Sequence, residues 1–344
     1  MQVIHNIYRL VHSNKVNLTL ITIVLQYPKD MERSVSKINY ENAWSPENFA
    51  QLFGFEACQN GFTKVVGSQE YEFRKISTPS ELKEAQNVLK NGFGWEDIEV
   101  PPVHILALWE DTGGGNFAAF DKSGSMVGYA GGMGGGLDTL TDRPIIISSM
   151  LAMNGLDYRS AGIGKWLKII QAYYSKQNGY DSMKWLYDPE RGENASLNMR
   201  KLGAKAEEFW IDKYGRMASN VFGGGVPTDR FRAVWRFASA GTIQRLIGMD
   251  EAPSLDIVKE VEVATEYELP NSDKVLVEIS SNIDEVTDEG EKIEKRLRLR
   301  KILSHYFFEK DYIASEFITG TVKGKRENYY LLQPKSILKG GVNV

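Results

Sequence analysis

The residues best suited to chemistry lie in one short stretch, Arg159-Ser160-Ala161-Gly162-Ile163-Gly164-Lys165. Two glycines one residue apart let the oxygens of an anion approach the backbone. A helix starting there aims its N–H groups and the positive end of its dipole at the same point. The flanks suit that use. Pro144 to Met153 holds the β-branched run of a central strand. After the turn, apolar residues recur at Ile163, Trp166, Leu167, Ile170 and Tyr174, one face of a helix over 162–177 that stops at Asn178-Gly179. Strand, glycine turn and helix in that order can hold a pyrophosphate. Arg159 would steady the turn or an oxygen, while Lys165 and Lys168 either add charge to the phosphates or lie on the surface.

The elements that must position this turn are legible on both sides. Tyr71 to Ile76 reads as a strand, and Ser77-Thr78-Pro79 opens a helix to about Leu89, since Thr or Ser caps a helix that Pro begins. A second helix, Val103 to Trp109, follows Pro101-Pro102, and 116–121 with 125–130 form a hairpin about Lys122-Ser123-Gly124. The glycines of 131–136 and 223–225 open no helix and read as loops. Downstream come a strand over Ser182 to Tyr187, a short helix from Asn194 to Leu202, and a strand near Glu207 to Ile211. Beyond Trp235 the alternation of 259–263 and 274–279 predicts strands, then a charged helix from Asp288 to about Glu309, then strands at 313–318 and 329–332.

Bulk properties narrow the function classes. The 344 residues are 42% hydrophobic and 25% charged, the balance of a globular protein with a large core. A net charge of -4, from 41 basic and 45 acidic residues, offers no field for nucleic acid or an anionic membrane. Cys58 is the single cysteine, and the four histidines show no metal-ligand spacing, so the chain reads as cytoplasmic and metal-free. Leu18 to Leu25 is too short to span a bilayer and reads as a strand, with a signal peptide as the alternative.

The turn resembles the signature (Arg or Gln)-x-x-Gly-x-(Gly or Ala) of the GNAT superfamily, acyl-CoA-dependent N-acyltransferases that carry it between their fourth strand and third helix. The resemblance extends through Trp185-Leu186-Tyr187-Asp188-Pro189, Asn194-Ala195, Asn198, Leu202-Gly203-Ala204, Tyr214-Gly215 and Pro227-Thr228-Asp229-Arg230 to Trp235. It covers roughly residues 70 to 334 and looks like one little-characterised GNAT-related subfamily. It implies an α/β (α+β) fold, a mixed, mainly antiparallel central sheet flanked by helices, with a smaller C-terminal α/β unit. It also implies acetyl-CoA or another acyl-CoA as cofactor and an amine as acceptor.

By position, the resemblance assigns the cofactor to Met150, Leu151, Ala152 and Met153 along the fourth strand, to Arg159, Ser160, Ala161, Gly162, Ile163, Gly164 and Lys165 in the turn, and to Asn194 and Asn198. Asn194 is equally suited to be only the cap of its short helix. In many relatives a tyrosine four residues before the glycine after the fourth helix protonates the departing thiolate. That position is Met199 here. Asn198 can orient cofactor or water but cannot donate a proton in the same sense. Tyr187 and Tyr214 are reserve acids, and Asp188, ending the fifth strand, is the candidate base or else a strand-ending turn.

Expected domains are 1–68, an extension of unknown role, 69–238, the acyl-CoA-binding part, and 239–344, a C-terminal unit read as a degenerate second GNAT-like half without a phosphate turn. Pro227 to Arg230 reads as a structural corner, and Trp166, Trp185 and Trp235 as core. Nucleic acid, membrane and metal are not expected partners, and a homodimer stays open. Two other functions are carried: a non-catalytic acyl-CoA or small-ligand module, and a dinucleotide-binding oxidoreductase. The latter suits Gly162-Ile163-Gly164 and Asp188 but finds Leu167 where its third glycine belongs.

Overall fold

The computed structural model describes residues 42–159, 161–215 and 225–340. Leu18 to Leu25, Ser160, Gly223 and Gly224 lie outside them. In chain order the elements are α1 (Pro46–Phe53), β1 (Glu56–Cys58), β2 (Gly61–Val66), β3 (Gln69–Ile76), α2 (Pro79–Phe93), α3 (Val103–Asp111), β4 (Gly115–Phe120), β5 (Met126–Leu137) and β6 (Pro144–Met153). Then come α4 (Ile163–Gln177), β7 (Ser182–Tyr187), α5 (Gly192–Ala195), β8 (Lys205–Trp210), β9 (Arg230–Trp235) and α6 (Ala240–Leu246). The last are β10 (Val263–Ala264), β11 (Val275–Ile279), α7 (Glu289–Ser304), β12 (Tyr312–Val322) and β13 (Lys325–Pro334). Helices α5 and α7 each run on into a π-helical stretch, Ser196–Lys201 and His305–Glu309.

One mixed sheet joins all the strands, in the order β1-β2-β3-β4-β5-β6-β7-β9-β8-β12-β13-β11-β10. Its pairs are antiparallel except β6 with β7 and β10 with β11. Successive side chains of a strand face opposite sides, and β4 shows the consequence. Phe117 and Ala119 join the core under α1 and α4, whereas Ala118 and Phe120 join the core under α2 and α3. Helix α2 starts as the sequence predicts. Thr78 accepts a hydrogen bond from the Glu81 N–H while Glu81 reaches back to the Thr78 N–H, and Pro79 opens the first turn. Residues 42–68, from the expected extension, supply α1, β1 and β2. They are anchored by Trp44, whose indole donates to the Phe237 carbonyl, and by Phe49, whose ring lies 4.2 Å from that of Tyr173.

Two expectations are corrected. Gly131 to Gly136 form no loop but lie within β5. There they let other backbone come close: a Cβ on Gly134 would stand 1.9 Å from the Thr112 carbonyl oxygen. Of the predicted strand 259–263 only Val263 is extended, in Val263–Ala264, while Lys259 ends a tight turn, Leu255–Lys259, opened by Ser254 capping the Asp256 N–H. Leu255, Ile257, Val258 and Val261 then pack together at turn spacing against Ile318 and Leu331.

The outer half of the sheet has an internal symmetry. Strand β7 leads through a helix ending in a π-turn to β8 and β9, with β9 between β7 and β8. Strand β11 leads through a helix ending in a π-turn to β12 and β13, with β13 between β11 and β12. Strand β6 runs parallel to β7 as β10 runs parallel to β11. The halves meet where β8 pairs antiparallel with β12, at Ala206 and Ala314. Between β6 and β7 the chain inserts the glycine turn and α4, whereas between β10 and β11 it inserts only the short segment 265–274.

Candidate functional site

Counted from β3, β6 is the fourth strand, and the glycine turn lies between it and α4. Strands β6 and β7 pair only at Ile145 with Ser182 and Ile146 with Met183, then part. The cause is on the other edge of β6. Between Gly131/Met150 and Met133/Ile147 the register takes two steps on β5 against three on β6, an irregularity that bends the longer strand away. The parted strands leave a cleft with Met150 to Met153 on one wall and Trp185 to Asp188 on the other. Met150, Leu151, Trp185, Leu186 and Asp188 are half-buried, and Ala152, Met153 and Tyr187 are buried.

At the head of the cleft, Gly162 is the N-cap of α4, with φ +84, a left-handed conformation that strains any other L-residue. No side chain caps α4 and its first turn holds no acidic residue. In contrast, α2, α6 and α7 are capped by Thr78, Ser239 and Asp288. Gly164 looks onto the strand that lines the cleft, since its Cβ would lie 3.2 Å from Leu151 Cδ2 and 3.6 Å from Leu197 Cδ2. Ala161 packs on the core beneath the turn, and Ile163 is buried in it. Burial, and then the charges of Lys201 and Lys64, push the pKa of Lys165 down. Uncapped N–H groups at a helix start can accept an anion.

Several expected roles change. Arg159 is exposed and donates to the Gly92 carbonyl oxygen at 2.5 Å, so it ties the turn to the end of α2. Lys165 donates to the Leu246 carbonyl oxygen at 3.1 Å, and its charge acts on an anion from there. Lys168 is neither on the surface nor in the turn. It is buried, with Nζ 2.9 Å from Gln171 Oε1 and 3.0 Å from Met183 Sδ. Asn194 is exposed inside its helical turn, whose N-cap is Arg191. Asn198 is buried in the π-helical stretch, and its carbonyl accepts the Ala204 N–H.

Asp188 is anchored. Both of its oxygens accept from Arg296 Nη2, at 2.8 and 2.7 Å, one also accepts the Glu190 N–H, and Arg230 stands 3.9 Å away. Burial works to raise its pKa, but Arg296 and Arg230 outweigh burial and hold the carboxyl below its ordinary value. A carboxylate so paired is a poor proton acceptor, which corrects its expected role as base. Tyr187 is buried too, its hydroxyl 3.5 Å from Met199 Sδ, and burial raises its pKa, so it is a poor acid. Pro227 to Arg230 is indeed a corner: Asp229 accepts the Asp212 N–H and pairs with Arg300 at 2.6 and 2.9 Å.

The sequence reading gave no role to Glu190, Arg296 or Arg300. Arg296 of α7 reaches Asp188, the Asp229 carbonyl and, through Nε, Glu190 Oε2 at 2.9 Å. In that last contact the N–H does not point at the oxygen, so neither atom gains an aligned hydrogen bond. Burial pushes Glu190 up to about 7, against Arg296 and with the help of the Asp188 and Asp229 charges. Beside Glu190 opens a cavity of about 280 Å³, whose other lining residues include Glu278, Lys295, Arg298 and Lys325. The available signal was the i, i+4 spacing of Arg296 and Arg300 on one helix face.

No protein-family model and no curated protein matches the sequence. Solved structures that the chain resembles include a GNAT superfamily phosphinothricin acetyltransferase from Sinorhizobium meliloti in complex with AcCoA. It is 17% identical, with a TM-score of 0.38 over 48% of this chain and 86% of that one. The ribosomal-protein-S18-alanine N-acetyltransferase from Escherichia coli is 14% identical, with a TM-score of 0.38 over 50% and 96%. A GNAT family acetyltransferase from Streptococcus pneumoniae is 12% identical, with a TM-score of 0.38 over 48% and 98%. Among the described residues no helix is long and apolar enough to cross a membrane, and no His, Cys, Asp and Glu cluster suited to a metal ion occurs.

Proposed function

We propose that the chain binds acyl-CoA in the cleft between β6 and β7 and transfers its acyl group to an amine. The observation that carries this reading is a coincidence of two features. Two parallel strands part after Ile146 and Met183, and the turn leading from β6 into α4 ends in an uncapped helix N-terminus. That N-terminus suits the phosphates of the cofactor, and the parted strands suit a slender arm that ends in a thioester. Leu151 and its neighbours offer the backbone N–H groups that would polarise the thioester carbonyl. The acceptor amine must arrive uncharged, and the anchored Asp188 leaves its proton to water or to another group. In the same reading 239–344 is a degenerate second half that kept strands, helix and π-turn but not the phosphate turn.

The second reading, a module that binds acyl-CoA without turning it over, draws on Met199 and on the locked Asp188. Calorimetry with acetyl-CoA, followed by thiol release above the protein-free rate with a panel of primary amines, separates the two. Binding with release supports the transferase, and binding without release across the panel supports the module. No binding by the full chain overturns both.

A further inference from the structure

Four cations of the C-terminal half line one space, the cavity of about 280 Å³ beside Glu190. Lys295, Arg298 and Leu299 reach it from α7, on one face by their i, i+3, i+4 spacing. Lys325 and Arg326, the first residues of β13, line it as well. The turn before them is short and set. Val322 pairs with Lys325, and the two residues between, Lys323 at φ 48 and Gly324 at φ 81, both take the left-handed conformation that such a hairpin needs. Lys295 already pairs with Glu291 at 3.2 Å. Arg298, Lys325 and Arg326 make no ion pair among the described residues, although Glu278 lines the same cavity. Arg326 is held only through Nε, which donates to Thr319 Oγ1 at 3.2 Å. All three are exposed, so a solute can reach them. The floor has the opposite sign. Glu190 lines it and is buried, with Oε2 turned to Arg296 without an aligned hydrogen bond, and among the described residues no side chain donates to its carboxyl. Ile279 and Leu299, both buried, give the same cavity an apolar wall.

We propose that this cavity binds a small phosphate monoester bearing hydroxyl groups, its phosphate held by Arg298, Lys325 and Arg326 and a hydroxyl turned to Glu190. Three cations without carboxylate partners repel one another across the mouth. A dianion with three outer oxygens relieves all of them at once, whereas a carboxylate has two oxygens, the match for a single guanidinium fork. Inorganic phosphate satisfies the mouth alone. It leaves the buried carboxyl without a donor, which a hydroxyl of the ester supplies. The size agrees, since pockets for drug-sized ligands hold about 300–1,000 Å³ and this one lies just below that range, room for a few carbons and a phosphate. The site belongs to the C-terminal half and stands whether or not the chain transfers acyl groups.

Calorimetry of the full chain with glycerol 3-phosphate, inorganic phosphate and glycerol tests the assignment. Gly164→Glu, which obstructs the turn before α4, separates this site from any anion held there. Glycerol 3-phosphate should bind wild type and Gly164→Glu alike and more tightly than inorganic phosphate, with no heat from glycerol. Arg298→Gln and Lys325→Gln should each weaken it about tenfold, the loss of one charge-assisted contact. Both side chains are exposed, so the melting temperature and the response to acetyl-CoA should match wild type. The absence of saturable binding by either phosphate overturns the proposal. So does binding that survives the two substitutions combined, or binding that Gly164→Glu abolishes, which would put the anion at the start of α4. Inorganic phosphate that binds as tightly as the ester overturns the part given to Glu190 and with it the ligand class. Wild-type chain that fails to bind acetyl-CoA bears on the transferase reading alone.

Discussion

Glu190→Gln tests the charge cluster between α7 and the ends of β7 and β9 most directly. Glu190 is 2% exposed, and its carboxyl is raised from the ordinary 4.5 to about 7, chiefly by burial. Arg296 faces it at 2.9 Å but gives its aligned hydrogen bonds to Asp188, so attraction only partly offsets desolvation. A carboxyl whose pKa is higher folded than unfolded binds its proton more tightly in the folded state. Its contribution is therefore complete below 4.5 and lost as pH rises through about 7. A rise of about 2.5 pH units at ~1.4 kcal/mol each makes the loss roughly 3 kcal/mol. Glutamine keeps the shape and cannot ionise. Urea unfolding between about pH 5 and pH 8 should show Glu190→Gln gaining on wild type as pH rises, by a few kcal/mol at the upper end. The difference between the two proteins isolates this group from carboxylates such as Asp188, whose lowered pKa gives the opposite slope. A difference that stays flat with pH, or a variant weaker than wild type at pH 8, would refute the reasoning.

Three further outcomes follow from the geometry. Arg296→Met leaves Asp188 and Glu190 buried without their shared cation and should cost about 3–5 kcal/mol in urea unfolding, whereas a cost under ~1 kcal/mol would mean that water compensates them. Gly164→Glu puts an acid in the first turn of α4, where the helix dipole favours it by ~0.3–1 kcal/mol while its Cβ, 3.2 Å from Leu151 Cδ2, must push that side chain aside, so the chain should stay folded with a modest change in melting temperature while the calorimetric signal with acetyl-CoA disappears. Retained binding there would remove the start of α4 from the site. Thr78→Ala removes the reciprocal cap of α2 and should cost about 1 kcal/mol in urea unfolding with acetyl-CoA affinity unchanged.

What was legible in the sequence was local. The glycine turn before α4, the Thr78-Pro79 start of α2, the Asn178-Gly179 stop and the long apolar run of β6 each declare themselves within a few residues, and the structure has them at those places. What was hidden depends on partners far along the chain. Nothing near Asp188 says that an arginine more than a hundred residues later will clasp it, so a strand-ending acid looked available as a base. Nor does the i, i+5 offset of Lys168 from Ile163 on an amphipathic helix say that its head is buried against Met183 and Trp185. Strands β6 and β7 part next to a span where β6 carries one residue more than β5. The glycines of β5 misled for the same reason: Gly134 meets the Thr112 carbonyl at the end of α3, and Gly131 meets the rings of Tyr129 and Trp109.

The symmetry of the outer sheet gives these separate features one origin in the fold. Each half has a parallel pair at its edge, β6 with β7 and β10 with β11, followed by a helix with a π-turn and two antiparallel strands. Only the first half places a glycine turn and a helix between its parallel strands, so only that half can bring an anion to a helix N-terminus beside a cleft. The second half sends α7 across to the first. There Arg296 takes the carboxylate at the end of β7, and Arg300 takes Asp229 at the start of β9. These two strands are neighbours, paired from Tyr187 with Phe231 to Met183 with Trp235, and β7 is one wall of the cleft. The ion pairs thus fix the far wall at the point where β6 has already left it. A cleft held open between one bent strand and one clamped strand need not close when its occupant leaves. On that account the C-terminal half lends rigidity to one wall of the proposed site.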